Sequence, residues 1–190
     1  MAAGATRGFT LIELMIALAI GAILLMLGLP SFNEFLRNSE IRSTTESLVN
    51  GLRVARTEAV RRNQLVTFTL ASGGDPSWRV DQVSTCPASS IQTYSRSEGG
   101  TNVRATPKNI DGSAATAVSV TFNGVGRIIA TPMTTSCTLA TTPNLQRLDV
   151  ASTLTSVASR PLHIVLPVDN GTQAVRVCDP ALPSTDPRAC

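Results

Sequence analysis

The sequence predicts an α+β protein in which a long N-terminal helix, apolar all round at first and amphipathic later, packs against a mainly antiparallel β-sheet head. Three observations carry this expectation. Residues 9–29 form an apolar run with Glu13 as its one charge, residues 30–63 place apolar side chains at helical spacing, and from Leu65 onward the pattern changes to the two-residue alternation of strands. The 190 residues fit one domain plus an anchor. Aromatic residues make up 4%, so the core must rest on Val, Leu, Ile and a few Phe.

The apolar run comes first. Its 21 residues, at about 1.5 Å each, rise roughly 30 Å, the thickness of a bilayer's hydrocarbon core. A secretory signal peptide is the competing reading. The run is longer than the usual h-region of about 7 to 15 residues, and Pro30, Phe32 and Phe35 follow it in place of a small-residue cleavage site. The segment is therefore expected to stay attached as a single-pass anchor. Arg7 ahead of it places the N-terminus in the cytoplasm by the positive-inside tendency. Glu13 is the anomaly, because a carboxylate inside hydrocarbon costs about 2.5 to 3.5 kcal/mol at the helix centre and so requires a partner or a purpose.

Beyond Pro30, the residues Ile41, Leu48, Leu52, Ala55 and Ala59 recur at helical spacing and draw one narrow apolar face, while Arg53, Arg56, Glu58 and Arg61 fall elsewhere. Pro30 marks a helix kink, since an internal proline removes a backbone hydrogen bond, and Gly21 and Gly28 weaken the same stretch. The strands follow. LVTFTLA, WRVDQV, TAVSVTF, LQRLDV, PLHIVLPV and QAVRVC are rich in β-branched residues and separated by Gly, Pro, Asn and Ser clusters. The amphipathic half of the helix is the natural cover for their inner face. Polar stretches at 84–115 and 131–143 read as long surface loops, and Gly124 and Gly126 as a turn between TAVSVTF and a strand RIIA.

The charge and cysteine content narrow the function. A net charge of +3, dispersed along the chain and carried almost wholly by arginine, is not the dense basic stripe of a typical nucleic-acid binder. The four cysteines lack CxxC spacing, and one histidine, His163, is too little for the usual zinc site, so disulfides in an oxidising compartment are expected. Of three connectivities, Cys178 with Cys190 is favoured because the intervening CDPALPSTDPRAC is a short, turn-rich loop. That leaves Cys86 with Cys137. Alternation in PLHIVLP lets His163 be either a core or a surface residue, and without a Gly-rich phosphate loop or a paired-carboxylate site neither an enzyme nor a cofactor is expected. Asn170-Gly-Thr matches a glycosylation sequon and reads as a turn.

The string Arg7-Gly8-Phe9-Thr10-Leu11-Ile12-Glu13-Leu14 resembles the leader junction of type IV prepilins and type II secretion pseudopilins. The resemblance implies a leader at 1–8, cleavage by a prepilin peptidase between Gly8 and Phe9, N-methylation of Phe9, a transmembrane and assembly helix at 9–29, its amphipathic continuation at 30–63, and a periplasmic head at 64–190. It also implies a role for Glu13: the carboxylate meets the N-terminal amine of a neighbouring subunit as subunits join the fibre. Such a pair is costly to break in a low-dielectric bundle.

LRVARTEAVRRN before a strand, VTFNGVGRI, and a final strand ending in RVCDP together resemble the GspH and FimT/FimU group of minor pilins and pseudopilins. The expected function is that of a FimU-like minor pilin, which helps start type IV pilus assembly near the fibre tip. Its partners would be other minor pilins, the major pilin, the inner-membrane assembly platform and the prepilin peptidase. It would sit in the inner membrane before assembly and in the pilus afterwards. Two alternatives are a FimT-like DNA-binding pilin and a GspH-like pseudopilin of type II secretion. FimT-like DNA binders carry Gly-Arg-x-Arg before a cysteine; here the corresponding residues are Gln173-Ala174-Val175-Arg176, so only the last arginine is kept. Arg176, Arg160 and Arg188 are the DNA-binding candidates, with DNA as the less favoured partner because each lost phosphate contact weakens binding.

Overall fold

The computed structural model describes residues 8–155, 158–166 and 175–190, with only the backbone of Leu27, Leu29 and Pro30. Leader residues 1–7, the sequon at Asn170 and the positions Gln173 and Ala174 lie outside the described residues. One helix, α1 (Leu11–Arg62), runs for 52 residues and includes Pro30. Its N-cap is Thr10, whose hydroxyl accepts a hydrogen bond from the Glu13 backbone N–H at 3.3 Å. This satisfies one of the donors that a helix start leaves open. At the other end Asn63 takes the left-handed conformation (φ 51°, ψ 46°) and its N–H closes on the carbonyls of Ala59 and Val60. Asparagine tolerates that conformation, so the helix stops there.

Among the described residues eight strands follow: β1 (Val66–Leu70), β2 (Trp78–Gln82), β3 (Ser89–Tyr94), β4 (Val103–Lys108), β5 (Ser119–Phe122), β6 (Arg147–Ser152), β7 (Leu162–Val165) and β8 (Arg176–Cys178). They form two four-stranded antiparallel sheets, ordered β3-β2-β1-β5 and β4-β6-β7-β8. The helix packs on both. Ile41, Leu48, Leu52, Ala55 and Ala59, the narrow stripe of the sequence, are all buried, against Val66, Phe68, Val80 and Val120 of the first sheet and Val103, Leu148, Val150 and Ile164 of the second. Two alanines in the stripe and the buried Gly51 let the helix come close. A Cβ at Gly51 would lie 2.9 Å from Phe68 and from the Trp78 indole.

Two sequence expectations are corrected. The stretch 84–115, read as loop, contains β3 and β4. Both are edge strands, where one polar face meets solvent and one ladder is enough, and an edge is where Pro107 can be accommodated in β4. The expected strand RIIA reduces to a single bridge, Phe122 to Ile128, with the Ile129 N–H bonded to the Thr121 carbonyl. The 131–143 stretch is a surface loop without a strand, as expected, and it is packed down on the first sheet. Met133 bonds Thr67 and Thr121, whose hydroxyls lie 2.7 Å apart and are fully buried beneath it. Arg79 donates to Thr135 and pairs with the buried Asp81 at 3.1 Å. Burial pushes the Asp81 carboxyl above its usual range, and Arg79 opposes that shift. The positions that alternation assigns to solvent are thus covered by a second layer of chain.

The turn at 123–127 locks the head to the helix end. The Gly126 N–H bonds the Asn123 carbonyl, and the Asn123 side chain accepts from Val125 and Arg127. Gly126 has φ 75°, the left-handed region that favours glycine. A Cβ on Gly124 would lie 2.9 Å from the Cα of Asn63 and 3.0 Å from its carbonyl carbon, so the turn rests directly on the helix cap.

Candidate functional site

The N-terminal half of α1 makes no contact that would bury it. Within it lies an 18-residue window of mean hydropathy 2.5, none of it buried. Phe9, Leu11, Ile12, Leu14, Met15 and Ile16 are all exposed, Phe9 at 85%. An apolar surface of this length needs a bilayer or other helices around it. Gly8 and Phe9 lie just ahead of the helix, and Glu13 is in its first turn, where an anion is favoured by the helix dipole. Phe9 and Glu13 thus stand four residues apart on either side of the Thr10 cap, and Glu13 has no ion pair with another described residue.

The second region is a groove between α1 and the C-terminal tail. Two adjoining depressions, of about 410 and 450 Å³, share Arg42, Leu162 and Asp179. Val49, Leu182 and the Cys178 half-cystine give the first an apolar floor, with Arg53 and Arg188 at its rim. Phe35, Asn38 and Ser39 line the second, on the side nearer the apolar half of the helix. The tail is held in place by Cys178–Cys190, with Cα atoms 5.1 Å apart, and by a parallel bridge between Asp179 and Ala189. Cys86–Cys137, with Cα atoms 6.0 Å apart, ties the 131–143 segment to the loop after β2.

The arginine candidates are occupied by the protein itself. Arg160 pairs with Asp179 at 3.0 Å, and its backbone N–H donates to Asn38 on the helix at 2.8 Å. Arg188 pairs with Asp186 at 2.9 Å; this contact holds the Asp186 carboxyl down at about 2 and raises the guanidinium. Arg176 donates to the Ala189 carbonyl at 2.5 Å. Arg188 lines the first depression and Arg160 the second, while Arg176 is bonded to the tail. Sequence reasoning missed Arg42 and Arg53. They stand on the same helix face as Glu46 and Val49, and neither has a hydrogen bond or ion pair with another described residue. Their spacing of eleven residues, three helical turns, was the available signal.

His163 lies inside, with its side chain 12% exposed, 3.4 Å from Asp149 and within 3.2 Å of an Arg147 nitrogen. Burial pushes its pKa down, Asp149 opposes this, and Arg147 adds to it. His163 Nδ1 is 3.4 Å from Cys190 Sγ, and with Cys178 these residues make the one close group of metal-ligand types among the described residues. Both sulfurs are in the disulfide and offer no thiolate, so the group does not fit a zinc ion.

The family described as Type II transport protein GspH matches residues 44–154, more than half of the chain, and the prokaryotic N-terminal methylation motif matches residues 4–29. No curated protein sequence matches. Among solved structures, the type IV minor pilin FimU of Pseudomonas aeruginosa (strain PAO1) is similar at a TM-score of 0.48 and 16% identity, over 82% of this chain and 98% of that one. The motifs LRVARTEAVRRN and VTFNGVGRI lie within the first match and the Gly8-Phe9 junction with Glu13 within the second, so the chain belongs to the GspH family and carries the N-terminal methylation motif ahead of it.

Proposed function

We propose that the chain is a minor pilin that helps initiate type IV pilus assembly at or near the fibre tip. The single observation that carries this reading is the exposed apolar half of α1, with Phe9 just ahead of it and Glu13 in its first turn. On this reading the leader is removed between Gly8 and Phe9, Phe9 is methylated, and its new amine or that of a neighbour meets Glu13. Pro30 is the place where the helix bends as it leaves the inner membrane. The head is periplasmic before assembly, and the partners are other minor pilins, the major pilin and the assembly platform.

DNA capture ranks lower. Two of the three candidate arginines are neutralised by aspartates and the third is spent on a backbone carbonyl. A clean deletion scored in one strain for surface pili, transformation and exoenzyme secretion tests the reading. Loss of pili is the expected result. Loss of transformation with pili retained would replace it with DNA capture, and loss of secretion alone with a type II pseudopilin.

A further inference from the structure

We propose that the membrane-proximal end of the groove between α1 and the tail binds the phosphate of a membrane phospholipid, with Arg42 as the principal ligand and Arg160 beside it. The inference rests on the reading of the apolar helix as a membrane anchor and adds a lipid site to it.

Depth along the helix is the first argument. From Leu11 to Leu36 the axis rises about 38 Å, roughly 8 Å more than a hydrocarbon core. The exposed Phe32, Phe35 and Leu36 therefore fall in the headgroup layer, where aromatic side chains favour the interface. Arg42 is about 10 Å further along the axis, and the tilt of helix side chains toward the N-terminus leans its guanidinium back to that layer.

Shape and charge are the second. Phe35, Asn38, Ser39 and Arg42 recur at i, i+3, i+4 and i+7, so they form one wall of the 450 Å³ depression, and Arg160, Leu162 and Asp179 form the other. Asp179 neutralises Arg160 at 3.0 Å. Arg42 makes no ion pair with another described residue, and Glu46 one turn on lines the adjoining depression, so Arg42, Arg160 and Asp179 leave this one with a positive charge in excess. An anionic headgroup supplies that charge, and a planar guanidinium binds phosphate oxygens in a forked geometry. Phe35 at the lower lip offers an apolar surface to the glycerol and upper acyl carbons.

Native mass spectrometry of the full chain in non-ionic detergent, with phosphatidylglycerol or phosphatidylcholine added, tests the site. Phosphatidylglycerol is expected to be retained several-fold more than phosphatidylcholine. Arg42→Gln, a change at an exposed residue without internal partners, should lower that retention at least fivefold, and Arg42→Lys should keep part of it. Arg53→Gln, on the same helix face but three turns further from the membrane, should leave retention unchanged. Equal retention by wild type and Arg42→Gln, or an equal loss in Arg53→Gln, overturns the proposal. So does an Arg42→Gln chain that keeps its lipid but no longer binds a partner pilin, which would make the groove a protein-docking site. Failure of the full chain to enter phospholipid vesicles at all would instead sink the anchor reading.

Discussion

Gly51→Ala tests whether helix and sheet meet as closely as the structure places them. The new methyl would stand 2.9 Å from Cε2 of Phe68 and 2.9 Å from Cδ2 and Cε2 of Trp78. Carbon atoms are most stable at about 3.5 to 4.0 Å, so the overlap is roughly 0.6 Å against two rings at once. Neither ring has room to retreat. Phe68 is fully buried, and Trp78 is stacked on Tyr94 at 5.8 Å with its N–H bonded to Ser47 at 3.1 Å. Overpacking of this kind costs about 1 to 3 kcal/mol, while replacing a helical glycine by alanine returns about 0.8 to 1.0 kcal/mol. The net expectation is a loss of up to about 2 kcal/mol, and each kcal/mol lowers the melting point by about 2 to 4 °C in a domain of this size. Trp78 is the chain's only tryptophan, so its fluorescence reports on the contact directly during urea or thermal unfolding. Gly28→Ala, where nothing lies within 4 Å, is the control and should leave the head's transition unchanged. A Gly51→Ala midpoint raised above wild type, as helix propensity alone would give, would refute the close-approach argument.

Other perturbations separate the remaining contacts. Gly124→Ala meets the Asn63 backbone, which has no rotamer to change, and should lower the unfolding midpoint with faster amide exchange confined to the last turn of α1 and the 123–127 turn. Glu40→Ala removes the acceptor of the Asn102 N–H at 2.9 Å and of Arg37 at 3.0 Å, leaving part-buried donors open; a loss of about 1 to 3 kcal/mol in denaturant titration is expected. Because burial lowers the His163 pKa, the unfolded chain takes up the proton first, so this group's contribution is present above the ordinary value of about 6.5 and is lost as pH falls below it. The midpoint should fall between pH 7.5 and 5, and less steeply in His163→Gln. Opening Cys178–Cys190 by double Ser substitution should cost about 3 kcal/mol by loop entropy and free the tail to protease, read by the cleavage rate near Arg188.

The long helix was legible because its two halves carry different and strong patterns: an uninterrupted apolar run, then Leu48, Leu52, Ala55 and Ala59 at helical spacing. Six of the eight strands were legible from β-branched alternation. β3 was not, since in SSIQTY only Ile91 and Tyr94 turn toward the core and both stay half-buried. β4 was hidden by Pro107, a residue that signals a break unless the strand is known to be an edge. Division into two sheets could not be read locally, because it depends on β4 leaving β3 to pair with β6, across the intervening β5. At the groove, each arginine was visible, but whether it was free was not. Arg160 is neutralised by Asp179 and anchored by Asn38, a residue 122 positions away, while Arg42 has no such partner among the described residues.

The short link from Asn63 to Val66 has a mechanical consequence. The helix passes almost directly into β1, and β1 is an interior strand, paired with β2 on one side and β5 on the other. Tension applied along the helix therefore enters the head through a strand held by two ladders, which must slide in shear together before the strand can be drawn out. Had the helix led into an edge such as β3, one ladder could have opened bond by bond. A subunit whose anchor is pulled while its head is gripped by neighbours gains its resistance from this placement of one strand.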